Sequence, residues 1–351
     1  MATDSIPADS PANDSPLFGA ELTGRAAAQL KRFSRTRHIE TVRRLSRVSG
    51  LRSVLLIAGV WVPLIAVMAW AVVMPRWWVY LIAACVVGSR QVAMGVLVHD
   101  AVHYSLFKNR LANDVIADLF LAFPIGMSTG LYRKTHLQHH RYTNTEDDCD
   151  LTAQREDGEW FEWPKNAREF RRVMLRSLLG LNLHRGWIMF KHWAPWNHLR
   201  DPITPAFPLH TRVLYLLNMA AVYAALGWGF SAAPWETLKI ILLFMIPGTT
   251  LVNFAMRLRA TAEHIGADNS EELRATRTVL PHWWERWIIS PVGVNYHLEH
   301  HLFPSVPGPK LAELHRELMT DQEYHDRAHV THGYDGVLKE LMADSDATVG
   351  G

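Results

Sequence analysis

The chain has only two cysteines in 351 residues, Cys85 inside an apolar run and Cys149 in a polar one. That excludes a disulfide framework, a Cys-ligated iron-sulfur cluster and a four-Cys zinc site. There is no GxGxxG, no flavin motif and no CxxCH for haem attachment, so no internal redox module is recognisable. Net charge is also scarce. With 36 Lys and Arg against 34 Asp and Glu, a formal +2 excludes a strongly polyanionic partner such as nucleic acid for the chain as a whole. The charge is unevenly placed: residues 25–52 hold nine basic side chains, whereas the 21 residues of 54–74 hold no charge. That run is long enough to cross a bilayer.

Three more stretches meet the same test. Residues 77–98 are apolar except for Ser89, Arg90 and Gln91, and residues 213–230 and 240–256 lack Asp, Glu, Lys and Arg. The expected fold is an all-α integral membrane protein with four transmembrane helices in two hairpins, turned at Pro75-Arg76 and at residues 231–239. Those turns hold few Lys or Arg, so the positive-inside rule puts both termini and the central loop in the cytoplasm, with a bacterial inner membrane the expected location. Residues 1–24 lack the basic start and apolar core of a signal peptide and read as a disordered tail. Residues 25–52 read as a basic amphipathic segment, lying on an anionic leaflet or solvated, before a membrane domain at 53–315 and a cytoplasmic tail at 316–351. A fifth apolar stretch, 115–131, is interrupted by Asp118, Pro124 and Gly126 and is expected to lie shallow or parallel to the membrane.

The chain is rich in histidine, with 19, and three clusters stand out: His99 and His103 in HDAVHYSLF, His136, His139 and His140 in HLQHHRYTN, and His297, His300 and His301 in HLEHHLFP. Residues three and four apart share a helix face, so each cluster presents imidazoles in one direction, as half of a metal site. One HxxxH is weak evidence, because exposed histidines often fall at that spacing. Two HxxHH copies with an HxxxH in one membrane chain point to a shared centre. His264 is a ninth candidate, eight residues past Met256, where a continued helix would carry it roughly 12 Å beyond. Nine imidazoles exceed the needs of one tetrahedral zinc, and no Glu-x-x-His pair supplies a soluble di-iron bundle. Two metals is the economical count. Imidazole suits iron, zinc and copper alike, and iron is preferred because open positions in a membrane site suit oxygen activation.

With these motifs, NYHLEHHLFPSVP and HDAVHYSLF above all, the chain resembles the membrane fatty acid desaturase family from about His99 to Pro307. The resemblance implies a non-haem site with two Fe, O2 as co-substrate, an external electron donor of ferredoxin or cytochrome b5 type, and attack on an unactivated C–H bond of a lipid-like substrate. It carries over His99, His103, His136, His139, His140, His297, His300 and His301 as ligands, with His264 as the ninth. The chain departs from some acyl-CoA members at Ala260, where they carry an Asn one turn before the His264 position.

Metal-bound imidazoles usually donate their other N–H to a carboxylate, and Asp100, Asp148, Asp150, Glu263 and Glu299 are interleaved with the clusters. The sequence TNTEDDCD favours Asp150, and Asn144 can instead turn the chain there. His38, His184, His192, His198, His210, His282, His315, His325, His329 and His332 lack the cluster spacing and read as surface or interfacial. Arg90 is expected to snorkel to the interface, and Trp283, Trp284 and Trp287 to form an aromatic belt. Arg168, Arg171, Arg172, Arg176, Arg185 and Lys191 form a basic face that either steers an acidic electron donor or meets anionic lipid. Returning oxygen to the substrate would make the same apparatus a hydroxylase or ketolase. A metal transporter would need ionisable residues lining the spans, and only Arg90 is present.

Overall fold

The computed structural model describes residues 32–150, 166–200 and 208–349; the expected disordered tail at 1–24 lies outside them. The first part of the chain forms α1 (Ile39–Leu45), α2 (Gly50–Val73), α3 (Trp77–Val102), α4 (Arg110–Ala117) and α5 (Thr129–Tyr142). Then come α6 (Ala167–Leu178), α7 (Leu183–Trp193), α8 (Asn197–Arg200), α9 (Leu209–Ala232), α10 (Pro234–Thr249) and α11 (Leu251–His264). The last part holds β1 (Thr278–Leu280), α12 (Trp283–Ile288), α13 (His297–Leu302), α14 (Gly308–Leu318), α15 (Gln322–Arg327), β2 (Val330–His332) and α16 (Gly333–Val349). The all-helical expectation needs one correction. β1 and β2 pair in parallel, Val279 opposite Thr331, because the chain returns beside residues 278–280 after four intervening helices, α12 to α15.

Four helical stretches are long and apolar enough to cross a bilayer: α2, α3, α9 and the α10–α11 pair. A helix satisfies its own backbone, which lipid requires. The fourth begins at Pro234, six residues before the charge-free run, because proline suits a first helical position that needs no amide donor. It breaks at Thr250 (φ −114°, ψ −80°), three residues after Pro247, and the hydroxyls of Thr249 and Thr250 bond the Ile246 carbonyl at 3.0 and 2.8 Å.

α3 is the central helix, with α2, α10 and α11 packed round it. Gly88 lets α11 close in: a Cβ there would lie 2.7 Å from Leu251 Cδ2. α9 is the least buried span and presents Leu216, Leu217, Val222 and Trp228 outward, a surface suited to lipid. Arg90 meets the exposed Trp287. Its guanidinium lies over the Trp287 ring, 5.3 Å from the centroid, and donates to Ser89 Oγ at 2.8 Å.

Residues 115–131 do not form a straight helix. α4 passes into a π-turn (Asp118–Ala122) and a 3-10 turn (Phe123–Ile125), Gly126 adopts φ 74°, and α5 leaves at 89° to the incoming helix. Buried Asp118 accepts the Thr129 amide across the bend at 2.8 Å. The flanking His103 and His136 have Nε2 atoms 2.9 Å apart, so this segment returns to the level it left.

On the histidine side, Leu273, Leu298, Leu302, Leu311, Leu314 and Tyr324 form an apolar core that also buries Phe33 and Leu45. Arg35 pairs with Glu272, Arg37 with Asp321 and Glu323, and Arg44 with Glu313 and Glu317, so these arginines of the segment before α2 meet carboxylates of the chain itself. α16 packs Tyr334, Val337 and Leu341 against Leu258 and Ala262 of α11.

Candidate metal centre

Four elements carry the histidines to one place: the end of α3, α5, the end of α11 and α13. On α5, His136 and His140 are one turn apart and share a face, whereas His139 is turned from His140 by about 100°. The same holds on α13 for His297 and His301 against His300. The structure sorts the imidazoles by face, not by motif. His99, His103, His136, His140 and His300 form one group, and His139, His264, His297 and His301 another, each with one ligand atom per residue and all such atoms of a group within 4.8 Å of one another. The doubled histidine is what lets one short helix serve both groups. All nine histidines singled out in the sequence are in these two groups, and the groups abut where the His140 and His301 rings stack with centroids 4.3 Å apart.

The donors suit a cation. Nε2 atoms lie 2.9 Å apart in the pairs His103 and His136, His136 and His140, His140 and His300, and His264 and His297. A neutral imidazole has one N–H, so His136 and His140 cannot satisfy all these encounters as hydrogen bonds, and lone pairs converge. His301 Nε2 is buried with no hydrogen-bond partner among the described residues. Burial pushes His103 down to about 3, and His297, His300 and His301 well below the ordinary value, so they stay neutral with a lone pair to give. An all-nitrogen set of five and four fits two transition-metal ions.

The carboxylates differ in reach. Asp148 is buried and holds both oxygens 3.0 Å from His139 Nδ1, fixing the tautomer that leaves His139 Nε2 free. It also accepts the amides of Asn144 and Asp150 at 2.8 and 3.0 Å. Asp150 lies 3.8 Å from the same nitrogen, beyond a hydrogen bond. Glu263 Oε1 accepts Arg259 Nε and Nη2 at 2.9 and 2.8 Å, and its Oε2 faces His297 Nδ1 at 3.9 Å. Asp100 lies 4.0 Å from His99 Nδ1 and accepts the Gly308 amide at 3.1 Å, tying the end of α3 to the start of α14. Glu299, wholly buried, accepts from Thr278, His315 and Tyr324, not from a clustered histidine.

Sequence reasoning missed Arg259, Tyr324 and His315 as supports of the site. His315 is buried, and so is His198, bonded to Ser128 Oγ at 2.6 Å, so neither is the surface residue expected. For His315 a signal existed: it falls on the apolar stripe of α14 with Leu311, Leu314 and Leu318. Ala260 packs with the apolar cluster of α11 and brings no donor to either group. His282, Glu285 and Asp335 also approach one another, but Glu285 is engaged in capping, accepting the amides of His282 and Tyr334 at 2.8 and 3.2 Å.

Membrane-length helices around buried histidine clusters fit a membrane protein with a metal-binding site. The family description fatty acid desaturase matches residues 75–333, and the chain belongs to that family. It is 26% identical over 253 residues to a dihydrorhizobitoxine desaturase of Bradyrhizobium elkanii, covering 71% of this chain and 70% of that one. It is 24% identical over 257 residues to a chloroplastic omega-6 fatty acid desaturase of Glycine max, covering 69% of this chain but only 57% of the plant protein. A sphingolipid delta(4)-desaturase of Drosophila melanogaster is 28% identical over 277 residues, covering 76% and 74%.

Proposed function

We propose that this protein is an O2-dependent di-iron desaturase that introduces a double bond into an acyl chain or similar lipid-like substrate. The observation that carries the reading is the convergence of nine imidazole nitrogen donors into groups of five and four, in a chain of the desaturase family. His99, His103, His136, His140 and His300 would hold one ion, and His139, His264, His297 and His301 the other. Bound ferrous ions would supply reduction of O2 to two waters, with two hydrogens leaving adjacent carbons and two further electrons and two protons entering. No redox motif is recognisable in this sequence, so an external donor of ferredoxin or cytochrome b5 type suits the need. Asp148 holds the His139 ring by its Nδ1–H, and Arg259 holds the Glu263 carboxylate facing His297. The apolar spans bring a lipid-like substrate to the site from the membrane side. The spans form two hairpins, with both termini and the histidines on the cytoplasmic face.

The relatives' names cover different substrates, so the reaction itself is the thing to test. Mass spectrometry of lipids and added acyl substrates from cells expressing the chain should find products lighter by two hydrogens, absent with His140→Ala. Products that instead gain oxygen would make the protein a hydroxylase or ketolase on the same scaffold.

A further inference from the structure

We propose that the outer face of α6 and the turn after it form a lipid-binding platform, in which Arg168, Arg171 and Arg172 take the phosphate groups of anionic phospholipids while the leucines beyond them enter the acyl region. This rests on the four spans crossing a bilayer and is independent of the reaction. Asn166 starts α6 by accepting the amides of Arg168 and Glu169 at 3.1 and 3.0 Å. Its inner face, Phe170, Val173, Met174 and Ser177, is buried, the apolar three packing in one cluster with Leu258 and Ala262 of α11. At 100° per residue Arg168, Arg171, Arg172, Leu175, Leu178 and Leu179 fall on the opposite arc, roughly 120° wide. That arc is basic in its first half and apolar in its second. All three arginines are exposed, and Leu175, Leu178, Leu179, Leu181, Leu183 and Trp187 are between 40% and 61% exposed.

The depth of the apolar half follows from its neighbours. A Cβ on Gly180 would lie 3.5 Å from Thr250 Cγ2, and Asn253 Nδ2 donates to Asn182 Oδ1 at 2.9 Å, so the turn lies beside the break in the fourth span. The 16 residues of α10 rise about 24 Å. Against a hydrocarbon thickness of about 30 Å, that break is near the boundary on the histidine side. The exposed leucines therefore sit at acyl depth, and the arginines, centred about 10 Å back along α6, reach head groups. A water-soluble acidic donor would meet the arginines but leave the leucine half facing lipid or water, so one continuous bilayer surface accounts for both halves.

The test places a nitroxide at Leu175→Cys, Leu179→Cys or Arg171→Cys in a Cys85→Ala background. The background also carries Cys149→Ala, since Cys149 is a free, half-buried thiol. In vesicles of phosphatidylcholine and phosphatidylglycerol, labels at 175 and 179 should be open to O2 and shielded from an aqueous nickel complex, with the label at 171 at head-group depth. Native mass spectrometry should find phosphatidylglycerol retained over phosphatidylcholine, and that preference lost in the folded R168E/R171E/R172E variant. Leucine labels as open to the nickel complex as a solvent loop would overturn the platform and leave the face to a protein partner. Equal retention of both lipids by the parent protein would overturn the head-group assignment.

Discussion

At His139 one hydrogen bond separates two neighbouring aspartates: Asp148 reaches the Nδ1 atom at 3.0 Å and Asp150 stops at 3.8 Å. A carboxylate on the far nitrogen orients the ring and raises its basicity, so Asp148→Asn should weaken iron binding by roughly 10- to 100-fold. Asp150→Asn should leave it unchanged. Chelator competition on the purified variants ranks the two, and the reverse order would contradict the assignment. The histidines were legible because helical spacing converts directly into a shared face. The choice of aspartate was not, because it depends on a backbone reversal at Asn144, φ 59°, whose amide itself donates to Asp148. Sequence showed that a turn could occur at Asn144; only the folded loop shows which carboxylate it swings inward.

The elements that hold the histidines were legible in proportion to how local their causes are. A charge-free run of 21 residues announces α2 without help from the rest of the chain. The early start of α10 and its break at Thr250 were hidden, because Glu236 and Lys239 lower hydropathy in a stretch that is still helical. α13 is shorter still, six residues held through Glu299 by three donors from 16 to 25 residues away. Tyr324→Phe should cost about 1–2 kcal/mol of stability and Glu299→Gln about 3 kcal/mol, since a buried amide cannot accept from all three donors. Thermal unfolding in nanodiscs reads both, and an unchanged midpoint for Glu299→Gln would mean the network does not anchor α13. Gly88→Ala should cost about 1–3 kcal/mol by overpacking α3 against α11, with part of the loss recovered in Gly88→Ala/Leu251→Ala. No recovery would place the strain elsewhere.

Over the whole molecule, residues 32–46 are joined to residues 272–324 by contacts spanning more than two hundred positions, as where the Phe33 amide donates to Glu272 at 2.8 Å. Composition shows a basic segment there but not its carboxylate partners, which lie in sequence beyond every span. Exposed ion pairs contribute little, whereas Phe33 and Leu45 are buried in the core. Leu45→Ala should therefore destabilise by about 2–5 kcal/mol, measured by unfolding, while Arg44→Ala should shift the midpoint little. If Arg44→Ala is the more damaging, charge and not burial attaches the segment. The proposed centre is two metal ions, one on the group of five histidines and one on the group of four. Elemental analysis of purified, iron-reconstituted protein tests this most directly. It should find two irons per chain, falling to about one when His264 and His297 are both changed to Ala. A single metal per chain in the parent, or stoichiometric zinc with no iron bound, would contradict it.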